Sequence, residues 1–514
     1  MSENGLPSGW ARVTLADIAE INPKWWSEDP CDDTPVSFIR MAAVEEESGR
    51  IDLGDVRKWR AVSKGYTRFQ EGDVIFAKIT PCMENGKSAV ARGLQGGRAT
   101  GSTEFHVLRP TSAISADLLR YFLVQVEVRN RARMYMKGAA GQLRVSPEYL
   151  RALEFLLPPR LEQGRIVSET ETLLTDLDVA VAGLKRAQAN LKRYRASVLK
   201  AACEGRLVPT EAELARKEGC SYESGEQLLQ RILKERRAKW EADQLAKMHA
   251  SGKPPKDDNW KQKCKEPAAP ETAGLPALPE GWTPINLGQV TWSVKDGPHY
   301  SPKYSDSGVP FITGGQVRPS GVDFGAAKYI SPELHSRLIA RCRPERNDVL
   351  YTKGGTTGIA RVNTYDEEFS VWVHVAVLKL VDSADPFFIQ HALNSPSCYR
   401  QSQRYTHGVG NQDLGLTRMV WITFGLPPTA EQKRIVEEVD LRLSVVDEIE
   451  GSVEAQLKRA SRLRQSILKR AFEGKLVPQN PNDEPASVLL ELLRAERVKP
   501  QRPNSKSKSV GASS

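Results

Sequence analysis

At 514 residues, 40% of them hydrophobic and 27% charged, the chain has the composition of a globular protein with room for several cores. Its net charge of +9 suits a polyanionic partner without specifying one. Seven scattered cysteines with no Cys-x-x-Cys pair, and no apolar run of about 18 residues, argue against a disulfide framework, a zinc finger and a membrane span. The start, MSENGLPSGWARV, lacks a basic-then-apolar signal pattern. The expectation is a cytoplasmic protein with reduced thiols.

Leu6-Pro7-x-Gly9-Trp10 opens a first globular segment. Short β-branched and aromatic runs follow at Phe38-Ile39, Asp73–Lys78 and Phe105–Leu108, each bounded by Gly, Asn or Asp, and they read as strands. Ala116 to Met136 reads as one helix with Leu119, Phe122, Leu123, Val126 and Tyr135 near one face. A glycine-rich loop, Gly138–Gln142, and a last strand, Leu153–Leu157, lead into Pro158-Pro159. The period then changes. Leu173, Leu177, Ala180, Leu184, Ala187, Leu191, Tyr194 and Val198 alternate steps of four and three, a heptad seam. A helix of roughly 40 residues, about 60 Å long, is expected to end at Glu204-Gly205-x-Leu207-Val208-Pro209. A further helix is expected over Gln227–Met248, and then a Pro-, Lys- and Ala-rich linker.

The pattern then repeats. Pro427 follows Pro158 by 269 residues, and so does Pro478 follow Pro209, with no gap between. Leu278-Pro279-x-Gly281-Trp282 opens the second globular segment, with strands expected at Phe311-Ile312, Asp348–Lys353 and, as one run, Val371–Leu378. A helix from Pro386 to about Tyr405 is expected to break at Ser395-Pro396. The loop Gly408–Gln412, a strand over Val420–Leu426 and a second seam of Val446, Ile449, Val453, Ala460, Leu463 and Ile467 follow. Arg442 and Gln456 interrupt that seam. A shorter helix, Ala486–Arg497, echoes the one after the first seam. The expected division is 1–157 and 278–426 as globular domains, 158–250 and 427–498 as helical regions, 251–277 as linker and 499–514 as a disordered tail. The fold class is α/β (α+β): two α/β domains separated by a long antiparallel two-helix coiled coil, the product of an internal duplication. The two helices are expected to pack on each other and hold the globular domains apart.

Catalytic signatures are weak. Gly86-Lys87-Ser88 resembles the end of a P-loop, but Pro81 stands where its first glycine belongs. Lys353–Gly358 reads as a turn-rich loop. No Gly-x-Gly-x-x-Gly follows a strand, no Asn-Pro-Pro-aromatic run occurs, and His299, His374 and His407 lie singly. Two diverged domains on well-matched helices suggest a bivalent reader of two half-sites.

The paired Leu-Pro-x-Gly-Trp openings, the loops carrying Gln142 and Gln412, the Pro-Pro-x-x-Glu-Gln-x-Arg-Ile-Val junctions, the Glu-Gly-x-Leu-Val-Pro endings and Tyr222–Leu229 together resemble the specificity subunit of type I restriction–modification enzymes. The resemblance implies two target-recognition domains, each reading half of a split, asymmetric double-stranded DNA sequence. It implies helices that set the gap and dock two methyltransferase subunits, and restriction subunits joining that core. S-adenosylmethionine, ATP and Mg²⁺ would belong to those partners, leaving this chain non-catalytic, without a cofactor of its own and with no membrane partner. Lysines and arginines would meet phosphates, and amides and arginines base edges. The candidates are Lys78, Lys87, Arg92, Gln142 and Arg144 in the first domain. In the second they are Lys295, His299, Tyr300, Lys303, Gln316, Lys353, Thr356, Thr357, Asn411 and Gln412. Arg193/Arg195 and Arg462/Arg464 read as a solvated helix face or partner contacts rather than base readers. Rival readings are a self-sufficient adenine methyltransferase and a coiled-coil adaptor with no DNA role.

Overall fold

The computed structural model describes residues 6–24, 28–139, 141–408 and 412–498. The expected tail at 499–514 lies outside them. The described residues form two compact units that are not consecutive blocks: one runs to Leu184 and resumes at Ala455, the other is Lys185–Glu454. Each unit therefore contains one globular segment and a part of each long helix.

In the first unit a four-stranded antiparallel sheet runs in the order Ala19–Ile21, Phe105–Pro110, Val74–Ala77, Ser88–Val90. Val-Ile-Phe-Ala at its centre is buried throughout, as a strand covered on both faces must be. A second sheet orders Val56–Lys58, Pro35–Ile39, Arg98–Gly101 and Thr67–Gln70, with one parallel pair between Pro35–Ile39 and Arg98–Gly101. A third pairs Ala11–Thr14 with Glu154–Leu157, joining the two ends of the globular segment. The second unit repeats the plan: Thr291–Asp296, Val375–Leu380, Val349–Thr352, Ala360–Val362 in one sheet; Lys328–Ile330, Val309–Ile312, Ser370–Val371 in another; and Thr283–Asn286 on Thr423–Leu426.

Two expected elements come out divided. Val371–Leu378 is not one strand: Val371 pairs in parallel with Ile312, while Val375–Leu380 pairs antiparallel with Val349–Thr352 in a different sheet. Trp372–His374 make the corner between the two sheets, and the valines at every second position of the run hide it. The helix expected over 116–136 is two, Ala116–Leu123 and Val126–Met134. Pro396 imposes the corresponding break in the second unit. In the first the break is held by tertiary partners. Gln465 Oε1 accepts from the Val126 amide at 3.0 Å, and Arg129 Nε donates to the Val124 carbonyl at 3.1 Å.

The long helices, Arg160–Cys203 and Thr429–Phe472, are 44 residues each. In each unit a segment of one runs antiparallel to a segment of the other: Leu174 packs near Ile467 and Leu468 in the first, and Val198 and Ala202 share a core with Ile435 and Val439 in the second. Val439, Val446, Val453, Ala460 and Ile467, seven residues apart, are all buried. The other expected row is more open: Ile449, Leu463 and Tyr194 are 43–49% exposed and Ala180 is exposed, while Leu173 and Ala187 are half-buried.

A helix further along the chain from each long helix closes the other long helix's globular segment. Gly225–Ala250 places Leu228, Leu229 and Ile232 in the second unit's core. Ala486–Val498 places Ala486 and Leu493 in the first's. The seating is the same in both: the Gly225 amide donates to Gly281 O at 2.7 Å and the Ala486 amide to Gly9 O at 2.9 Å. The segment after Ala250 turns back onto its own helix, where Trp260 stacks on Trp240 at 6.1 Å and Arg236 donates to Lys265 O at 3.4 Å. No described helix is long and apolar enough to cross a membrane.

Candidate nucleic-acid interface

In both units the strand that carries the predicted lysine ends in the same backbone lattice. The Lys78 amide donates to Glu104 O at 2.9 Å, and its carbonyl accepts from Val145 at 2.9 Å. The Lys353 amide donates to His374 O at 2.9 Å, and its carbonyl accepts from Leu414 at 2.8 Å. Each glycine-rich loop is closed by a two-way exchange, Lys137 with Arg144 at 3.0 and 2.9 Å and His407 with Asp413 at 3.1 and 2.9 Å. Gly138 (φ +139°) and Gly408 (φ +137°) turn these loops. A Cβ on Gly138 would stand 2.6 Å from Gln142 O, so the turn demands glycine.

On this shared backbone the charges are rearranged. Arg144 grips Glu104 through Nε and Nη2, both at 2.9 Å, and donates Nη1 to Gln142 O at 3.1 Å. That grip holds the Glu104 carboxyl below its usual range. His106 behind it is pushed down by burial, so the neutral ring donates Nε2–H to Val145 O at 2.8 Å and accepts from Asn22 Nδ2 at 3.0 Å. In the second unit Asp413 occupies the place of Arg144, and the cation is Lys353. Its side chain is 3% exposed and reaches Asp413 Oδ1 at 2.6 Å, Val373 O at 3.2 Å and Asp296 Oδ2 at 3.4 Å. Burial and Lys353 together push His374 down.

The predicted residues divide accordingly. Gln142, Lys295, His299, Tyr300, Lys303, Thr356 and Gln412 are exposed, and Lys78 is half-buried. Lys87 is turned inward, with Nζ on Met41 O at 3.3 Å and Val44 O at 3.0 Å. Ser88 beside it is buried and donates to Ile75 O at 3.0 Å, so Gly86-Lys87-Ser88 is a structural turn rather than a phosphate cradle. Gln316 accepts from the Thr313 amide and hydroxyl at 2.9 and 2.5 Å and donates to Ala326 O at 3.2 Å. Thr357 is buried. Arg92 lies at the opposite end of its strand pair from Lys78, 2.6 Å from Asp117. Asn411 lies outside the described residues. Asp296, Arg341 and Asp413 belong to this region and were not anticipated. Asp296-Gly297-Pro298 reads as a bare turn signal, and nothing local marks the carboxylate as buried.

Comparison with known proteins assigns the family. The type I restriction modification DNA specificity domain matches residues 7–180 and 279–459. Over 173 residues the chain is 40% identical to the EcoEI specificity subunit of Escherichia coli, covering 33% of this chain but only 28% of that relative. For the E. coli EcoAI specificity subunit the match is 39% over 176 residues, 29% of the relative. The StySPI specificity subunit of Salmonella potsdam aligns over 97% of both chains at 21% identity. A solved chain of a type I R-M system shares the fold, with a TM-score of 0.61 at 18% identity, covering 91% of this chain and 99% of that one. With one match in each half, the chain belongs to the type I restriction modification DNA specificity domain family.

Proposed function

We propose that this chain is the non-catalytic specificity subunit of a type I restriction–modification complex, acting on cytoplasmic DNA. Residues 1–157 and 278–426 are the two readers, each taking one half of a bipartite, asymmetric duplex target. The long helices set the gap between half-sites and, with the helices that follow them, dock two methyltransferase subunits. Restriction subunits join that assembly, and S-adenosylmethionine, ATP and Mg²⁺ act in the partners. The observation that carries this reading is one backbone lattice with two chemistries. Lys78 and Lys353 are held alike, while Arg144–Glu104 in one unit becomes Asp413–Lys353 in the other. Base recognition depends on side chains at fixed positions, so a conserved frame with exchanged charges suits two readers of different sequences. The test is a map of methylated adenines in DNA from cells expressing this chain with its methyltransferase partner. A split, asymmetric motif is expected. Methylation without a two-part motif would sink the proposal.

A further inference from the structure

Asp296 is 1% exposed, yet two cationic side chains and an imidazole, from three segments, converge on it. Arg341 Nη2 lies 3.0 Å from Oδ1, His299 Nε2 3.2 Å from Oδ2 and Lys353 Nζ 3.4 Å from Oδ2. Lys353 carries the chain on to Asp413 at 2.6 Å, whose other oxygen accepts from the Gly415 amide at 2.9 Å. One buried carboxylate thus ties together the loop after Thr291–Asp296, the segment after the helix Pro332–Ile339, the strand end at Lys353 and the glycine-rich loop.

The loop after Asp296 is fixed elsewhere as well. Gly297 passes so close to Val371 that a Cβ there would stand 1.8 Å from its carbonyl oxygen. Trp372 Nε1 donates to Tyr300 O at 3.2 Å. The backbone is pinned on both sides of His299, while the His299 and Arg341 side chains remain 62% and 61% exposed. A held backbone, a buried anchor and an exposed ring edge are what a base reader needs, because discrimination requires donors and acceptors at fixed places.

Resting on the specificity-subunit reading above, we propose that Asp296 is the positioning residue of the second reader. It holds His299 through Nε2, so that Nδ1 meets a base edge in the major groove, and it holds Arg341 beside it against the DNA backbone. Arg144–Glu104 occupies the corresponding region of the first reader, so the device belongs to one half-site only.

The experiment is a methylation map in cells expressing the intact complex with wild type, His299→Ala, Asp296→Asn or Arg341→Ala. His299 is exposed, so its loss leaves the core intact. His299→Ala is expected to relax one base position in one half of the motif by about tenfold or more, leaving the other half unchanged. Asp296→Asn is expected to relax that same position, which a general loss of stability would not single out. Arg341→Ala is expected to lower methylation of all sites alike without changing the motif. A wild type that yields no split motif sinks the specificity-subunit reading itself. A wild type with a split motif that His299→Ala and Asp296→Asn reproduce unchanged, or that they abolish at every site equally, overturns the positioning role. A motif altered by Arg341→Ala overturns the backbone assignment.

Discussion

Arg195 and Asp447 face each other across the two antiparallel helix segments of the second unit, and the guanidinium also reaches Glu450 at 3.1 Å. The first unit holds the same pair one repeat displaced: Arg464 lies 269 residues after Arg195 and bonds Asp178, which lies 269 before Asp447. The same contact therefore recurs at equivalent positions of the two helices in each unit. The Arg195 and Arg464 side chains are only 21% and 13% exposed, so these two arginines are committed between helices and do not form a solvated face.

Charge reversal tests the register. Arg195→Asp alone places three carboxylates together and should destabilise the protein by about 1–2 kcal/mol. Combining it with Asp447→Arg should recover most of the loss, since partly exposed pairs are each worth about 1 kcal/mol or less. Chemical denaturation of the four proteins of the cycle gives the coupling directly. Additive effects would show that the pair sets no register.

The joint between each globular segment and its long helix contains a buried carboxylate under an indole. Trp10 Nε1 donates to Glu162 at 3.1 Å and Trp282 Nε1 to Glu431 at 2.9 Å. Burial raises both carboxyls above their usual range. A carboxyl raised in the folded state favours folding most below its unfolded pKa, and that contribution is lost as pH rises through the folded value. Glu162→Gln keeps an acceptor for Trp10 and removes the buried charge. It should raise the melting temperature by a few degrees at pH 7 to 8, with the gain vanishing below about pH 4. An equal gain at every pH would contradict this account.

Leu228 is fully buried in the second unit's core although its helix follows the first long helix. Leu228→Ala should cost about 2–5 kcal/mol and weaken the second unit while sparing the first. Hydrogen exchange resolved by segment checks this: faster exchange is expected in Val375–Leu380, with Phe105–Pro110 unaffected.

Lys353 and Gln412 illustrate how the lysine and amide candidates should separate. Lys353→Met removes the cation shared by Asp296 and Asp413 but leaves Asp296 its contacts with Arg341 and His299, and should destabilise the fold by about 1–3 kcal/mol. Gln142→Ala and Gln412→Ala remove exposed side chains and should leave the melting temperature within about 2 °C, while weakening the proposed DNA binding, measured by gel shift with the proposed methyltransferase partner. A Gln412 variant that unfolds, or a Lys353 variant that melts like wild type, would reverse these assignments.

Much of the architecture is local and so was legible from residues in order. The heptad spacing, the Pro-Pro starts and the Gly-x-Leu-Val-Pro ends specify two long helices, because helix period and breakers act over a few residues. The matched repeats establish two copies of one unit. Exposed candidates such as Gln142 and Gln412 sit in glycine-rich loops visible in the sequence for the same reason.

Other features depend on residues far apart in the chain. The break at Val124-Gln125 is held by Gln465, and the corner at Trp372–His374 separates two sheets that only pairing partners distinguish. Ala486 closes the segment that begins with Gly9 because an apolar face must be buried by whatever the fold brings near it. Lys353 looks like a phosphate contact in sequence and is a buried counter-ion in the structure. Residue type sets what a side chain can bond. Burial and partners decide what it does bond, and those belong to the tertiary structure alone.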